Sequence, residues 1–182
     1  MKALKIIGIV VISLVVLLFA GYKYMIYNTK KNSPEQLEEY ALNDAKVSVR
    51  YSAPSKKGRA IFGDLVPYNE VWRTGANEAT VFTSNVDLSF GESVLPAGTY
   101  SFFTIPGPDS WKLIWNSEQV PWGINWDQTS TRNAANDVLV LEYPVDILNE
   151  VQEQFQISLR GTPPVMELRW DDISVRAPFK TN

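Results

Sequence analysis

The sequence predicts an all-β fold, an antiparallel β-sandwich of jelly-roll-like form, preceded by one N-terminal transmembrane helix. An uncharged, apolar run extends from Ile6 to Tyr22. Beyond Lys46, apolar and polar residues alternate with the period of two that a half-buried strand requires. Clusters rich in Gly, Pro and Asp separate these runs, and no helical pattern lies between them, as in sandwiches.

The apolar run comes first. At 1.5 Å per residue it makes a helix roughly 26 Å long, close to the hydrocarbon thickness of a bilayer. Lys2 and Lys5 precede it, and Lys23, Lys30 and Lys31 follow. The short basic head favours an N-terminus held in the cytoplasm. The expected location is therefore a single-pass inner-membrane protein with its C-terminal domain on the periplasmic side. Tyr22, Tyr24 and Tyr27 suit the headgroup zone. The alternative is secretion after signal cleavage, although Leu18-Phe19-Ala20 matches a small-x-small cleavage site poorly. The absence of cysteine excludes a lipid attached through an N-terminal cysteine. Residues 1–32 thus form the anchor with a short polar linker over 28–32, and residues 33–182 form the extracytoplasmic domain.

Ser33-Pro34-Glu35-Gln36 reads as a helix start, with Ser33 as cap and Pro34 at the first helical position. The expectation is a short helix over Pro34–Leu42, ending at Asn43. Strands then follow. Val47, Val49 and Tyr51 alternate with Ser48, Arg50 and Ser52. Further strands are expected over 79–84, 86–90, 99–105, 111–115, 137–143, 154–159, 165–170 and 173–177. Pro96-Ala97-Gly98, Pro106-Gly107-Pro108-Asp109 and Gly161-Thr162-Pro163-Pro164 are among the turns between them. Residues 122–136 read as the one long irregular region, where function tends to reside on a rigid sandwich.

Composition narrows the chemistry. Five of the 17 basic residues lie in the first 31 positions, which hold no acid, so the rest carries 12 basic against 20 acidic residues. An acidic domain without a basic stripe argues against nucleic acid as a partner. Zero histidine removes the usual general base near neutral pH and the commonest zinc ligand. Zero cysteine removes a thiol nucleophile and a disulfide framework. No metal and no cofactor are expected.

The densest motif is Arg59-Ala60-Ile61-Phe62-Gly63-Asp64-Leu65-Val66-Pro67-Tyr68, followed by Val71-Trp72-Arg73-Thr74-Gly75-Ala76-Asn77-Glu78-Ala79-Thr80. With Leu95-Pro96-Ala97-Gly98-Thr99-Tyr100-Ser101, Phe103-Thr104-Ile105-Pro106, Trp111, Trp122-Gly123 and Leu168-Arg169-Trp170, it resembles the bacterial domain-of-unknown-function family 2911. The resemblance covers about residues 33–179. It implies a secreted or anchored β-rich domain with no established activity. The chain departs from that pattern at Ala53, where such sequences often place arginine before the proline. A shared site relying on that arginine is lost or altered here.

Trp72 to Thr80 gathers a guanidinium, a carboxylate, an amide and hydroxyls in nine residues. As a binding loop, Arg73 would hold an anionic or carbonyl group, with Thr74, Asn77 and Glu78 around it. As a structural loop, Arg73 would pair with Glu78 and Asn77 would bond to backbone. The structural reading is the commoner outcome for such networks. Trp111, Trp115 and Trp170 are expected in the core. Trp122 and Trp126, beside Asp127 in the long loop, suit core or a stacked sugar ring equally. Lys56, Lys57 and Arg59 read as a solvated turn. No carboxylate pair can be chosen from Glu70, Glu78, Asp109, Asp127 and Asp137 on spacing alone.

The functional expectation is a non-enzymatic, membrane-anchored envelope domain that binds a carbohydrate or a protein partner. The expected ligand contacts are Arg73, Thr74, Asn77, Glu78, Trp122, Trp126 and Asp127. The alternatives are a carboxylate-based hydrolase of envelope glycans, using Glu78 and an aspartate of the long loop, and a structural or assembly domain.

Overall fold

Among the described residues, helix α1 (Lys2–Asn32) comes first and ten strands follow it. The structure is a computed structural model that describes residues 2–125, 127 and 129–181. The strands are β1 (Glu35–Leu42), β2 (Ala45–Ser52), β3 (Thr80–Ser84), β4 (Leu88–Phe90), β5 (Ser93–Leu95), β6 (Gly98–Pro106), β7 (Ser110–Asn116), β8 (Asp137–Arg160), β9 (Val165–Pro178) and β10 (Lys180–Thr181). The chain forms two units, Met1–Asn32 and Ser33–Asn182.

In the first unit, helix α1 continues through the polar residues 28–32, where a linker was expected. Thr29 Oγ1 donates to the Met25 carbonyl at 2.8 Å and Asn32 Nδ2 to that of Asn28 at 2.9 Å. These back-bonds satisfy polar side chains within the helix itself. The stretch Lys5–Asn32 is long and apolar enough to cross a membrane, with a mean hydropathy of 2.4 over its most apolar window.

The second unit is all-β, as the strand pattern predicts. A seven-stranded antiparallel sheet runs in the order β1-β2-β3-β6-β7-β8-β9, and a three-stranded sheet in the order β10-β4-β5. The large sheet curls. After β2 the chain turns onto the middle of β8, where Lys56 N donates to Glu153 O at 2.7 Å and Phe155 N to Pro54 O at 2.8 Å. Edge groups left open in a flat sheet are thereby paired. Phe90 of the small sheet packs 4.9 Å from Trp115 and 5.6 Å from Phe179, closing the core from the other side.

Strand alternation decides which side chains enter that core. Val47, Val49 and Tyr51 are buried on β2, and Trp111, Leu113 and Trp115 on β7. Trp111, Trp115 and Trp170 are at most 2 % exposed, so they belong to the core as expected. Trp72 stacks on Trp170 at 5.9 Å and meets Trp111 and Phe155 edge-on. Ring pairs of this kind add about 0.5–1.5 kcal/mol each beyond their buried area.

The expected helix over Pro34–Leu42 is instead strand β1. Asn43, at φ 53, begins a two-residue turn that folds β1 back on β2 in unbroken register, from Leu42 opposite Ala45 to Glu35 opposite Ser52. Pro34 itself accepts from Ala53 N at 2.9 Å. An eight-residue ladder thus outweighs a local cap signal, since propensity yields to tertiary pairing. The strands expected at 137–143 and 154–159 are two halves of β8. The first half pairs with β7 and the second with β9, with register shifts between Ile147 and Gln156. Likewise 165–170 and 173–177 are one strand, bent at Asp171 (φ 56). The region 122–136 is not the one long irregular stretch. Residues 53–79 form a second, pinned by isolated bridges at Ser55, Phe62 and Trp72.

Candidate functional site

The motif loop is built around Trp72. Its backbone bridges to β6, with Trp72 N donating to Thr104 O at 2.7 Å and Thr104 N returning to Trp72 O at 2.9 Å. Its indole Nε1 donates to Gly75 O at 3.1 Å. The chain then turns sharply, with Thr74 and Asn77 both at φ 57. Gly75 lies at φ +150, where a Cβ would meet the Ser52 carbonyl oxygen at 2.8 Å. Only a residue without that carbon can bring the loop so close to β2.

The polar side chains of the loop divide by burial. Thr74 is fully buried and donates to Thr104 Oγ1 or Trp72 O, while its own carbonyl accepts from Thr80 Oγ1 at 2.7 Å. Asn77 is 5 % exposed and donates to Ser33 O at 3.2 Å. Both side chains are engaged in bonds that hold the loop to the rest of the fold. Arg73 and Glu78 are half-buried. Burial pulls the Arg73 guanidinium below its ordinary value, and the nearby Glu78 carboxylate opposes that shift. The guanidinium stays charged, because arginine does not deprotonate in proteins.

The long loop after β7 lies against this motif. Arg73 Nη1 makes a long contact of 3.5 Å to Trp122 O, and Ala79 N donates to Pro121 O at 3.4 Å. Gly123 sits so close to Arg73 that a Cβ on it would fall 2.7 Å from Arg73 Cβ. Val120 N donates to Ser101 Oγ at 3.0 Å, and Thr131 N to Gly123 O at 3.1 Å. At the far end, Asp137 accepts from Arg132 Nε at 3.0 Å and from Asn116 Nδ2 at 2.8 Å. The loop is therefore held at both ends and in its middle. Trp122, projecting from it, is 46 % exposed.

The structure therefore brings Arg73, Glu78 and Trp122 to neighbouring positions and commits Thr74 and Asn77 to the scaffold. Asp127 is exposed and bonds within its own loop. The Thr129 hydroxyl at 2.6 Å and the Thr129 amide at 3.1 Å hold its carboxyl below the usual range. Trp126 lies outside the described residues. Asp137, one of the carboxylates weighed from the sequence, is taken up by Arg132 and Asn116. Among the described residues, no group of three or more acidic side chains converges as a cation site requires.

The family model described as "Protein of unknown function (DUF2911)" matches residues 33–179. The chain belongs to that family. No curated protein and no solved structure matches it. The Trp72–Thr80 motif that carried the resemblance is, in this DUF2911 domain, first a folding device: indole, threonines and glycine hold β2, β3 and β6 together. The cluster Lys56-Lys57-Arg59, expected to be solvated, is also partly structural. Lys56 Nζ pairs with Asp171 Oδ1, with the two side chains 21 % and 15 % exposed.

A concavity lies outside every candidate site residue taken from the sequence. It opens beside the β8–β9 turn and has a volume of about 360 Å³. Arg160, on β8, and Arg176, on β9, both line it. The Gly161–Pro164 turn was the one local signal near it. The bend at Asp171 that brings Arg176 into it has no sequence signature beyond an Asp-Asp pair.

Proposed function

We propose that the chain is a non-enzymatic ligand-binding domain, tethered to a membrane by α1, with the β-unit on the extracytoplasmic side. The ligand surface comprises Trp122 and Arg73, with Glu78 and the exposed Asp127 as further contacts. Thr74 and Asn77 position the loop and do not reach the ligand.

The observation that carries this reading is an exposed indole on a backbone held against a half-buried arginine. Exposed tryptophan on a mobile loop would lose freedom on binding. A pinned one has already lost it, which lowers the cost of association. The matching ligand has an apolar face for the indole and an acceptor for the guanidinium. A carbohydrate ring bearing an amide or carboxylate substituent has both. For the tether, the supporting features are the length of α1, its hydropathy and the lysines at both ends.

The test is binding of the full chain, in neutral detergent, to an array of N-acetylated amino-sugar oligomers and uronic-acid oligomers. Wild type should bind at least one class. Trp122→Ala should weaken that binding at least fivefold, and Arg73→Ala should do so selectively for ligands with an acceptor substituent. Absence of wild-type binding to both classes, or binding that Trp122→Ala leaves intact, would overturn the proposal.

A further inference from the structure

We infer that the cavity at the β8–β9 turn is a binding site for a small solute that carries an oxyanion, phosphate or carboxylate, together with a hydrogen-bond donor. It is independent of the Trp122–Arg73 surface.

The site arises from the bend in the β8–β9 ribbon. One half pairs Gln156–Arg160 with Val165–Arg169, and the other pairs Val145–Ile147 with Ile173–Val175. Asp171, at φ 56, joins the halves of β9. Ser174 Oγ donates to Glu167 Oε1 at 2.9 Å, which shows that the two halves touch. The cavity lies where they meet, with Ser158, Arg160, Thr162 and Glu167 from one half and Arg176 from the other.

The lining has the donors an oxyanion needs. Among the described residues, neither Arg160 nor Arg176 donates to a protein acceptor or forms an ion pair. Each guanidinium presents a fork of N–H groups matched to two oxygens of a phosphate or carboxylate. Ser158 adds a second, independent indication. It is only 3 % exposed, lines the cavity, and its hydroxyl bonds to no described protein group. The hydroxyl itself reaches the cavity, where an oxygen of the bound anion can pair with it.

Glu167 sets the orientation. Oε1 accepts from Ser174, which fixes the carboxylate in the wall beside its cross-strand neighbour Ser158. Two guanidiniums against one carboxylate leave the cavity net positive, so an anion is favoured. Glu167 repels an anion placed beside it and attracts a donor. The preferred solute therefore directs its oxyanion to Arg160 and Arg176 and an ammonium or hydroxyl to Glu167. The volume of about 360 Å³ exceeds what phosphate alone would fill.

The experiment is a ³¹P NMR titration of the full chain in maltoside micelles. Inorganic phosphate and O-phosphoethanolamine are the probes, at constant ionic strength in chloride. Both signals should broaden, and O-phosphoethanolamine should bind at least threefold more tightly. The doubly substituted Arg160→Gln, Arg176→Gln chain should bind both at least tenfold more weakly. Its arginines are exposed, so its thermal midpoint should match wild type. Ser158→Ala should weaken both probes severalfold, and Glu167→Gln should abolish the preference between them. Absence of broadening in wild type, or equal broadening in the double variant, overturns the inference.

Discussion

The Tyr51 hydroxyl donates to the Ile157 carbonyl at 3.2 Å and accepts from the Ile157 amide at 2.9 Å. Alternation along β2 already turned Tyr51 inward. It said nothing of a partner 106 residues away. Burial first of all pushes this phenol from its ordinary 10.0 up to about 12, although the bond to Ile157 opposes the shift. The folded state thus keeps a proton that the unfolded chain releases. The contribution is fully present below pH 10 and is lost as pH rises from 10 toward about 12. It amounts to about 2–3 kcal/mol, on the order of 1.4 kcal/mol per unit. We predict that wild type loses denaturant stability over that window more steeply than Tyr51→Phe. At neutral pH the variant should already be destabilised by about 1–3 kcal/mol, because the Ile157 amide loses its acceptor. Chemical denaturation at pH 7, 10 and 12 checks both. Parallel pH profiles for the two proteins would contradict the assignment to Tyr51.

At the scale of elements, the motif loop and β1 show opposite relations between sequence and structure. The loop was legible as something unusual, because Trp, Arg, Gly and Asn rarely crowd so closely without a tight turn. Its role was not legible. Trp72 could have capped a pocket, yet it enters an aromatic cluster with Trp111, Phe155 and Trp170. Gly75 is the pivot. Gly75→Ala places a carbon 2.8 Å from a backbone oxygen of β2, which cannot swing away as a side-chain tip would. We predict a loss of about 1–3 kcal/mol, with intrinsic tryptophan emission shifted as the loop lifts. An unchanged thermal midpoint would refute the close approach. In β1, by contrast, local signals pointed to the wrong element. Ser33-Pro34 looked like a helix start, but Leu37 and Leu42 are exposed on an edge strand whose stability comes from β2.

At the scale of the whole molecule, two physical regimes share one chain. The apolar helix follows from hydropathy alone, and a partition test suits it. We predict that the full chain stays in the membrane fraction after alkaline carbonate extraction, with residues 1–32 intact by mass. Val11→Arg with Leu14→Arg should release it, since each arginine at mid-bilayer costs about 2.5–3.5 kcal/mol on insertion scales. A soluble wild-type chain would defeat the tether. The sequence by itself determined the apolar segment, the all-β class, the inward tryptophans and the family, because each rests on a local period or a contiguous motif. Tertiary structure alone decided that residues 35–42 form a strand, that the large sheet curls back on β8, and that Arg160 and Arg176 share one cavity. Those outcomes depend on pairings between residues far apart in the chain. Their free energy appears only when the distant backbones meet, and no local pattern encodes it.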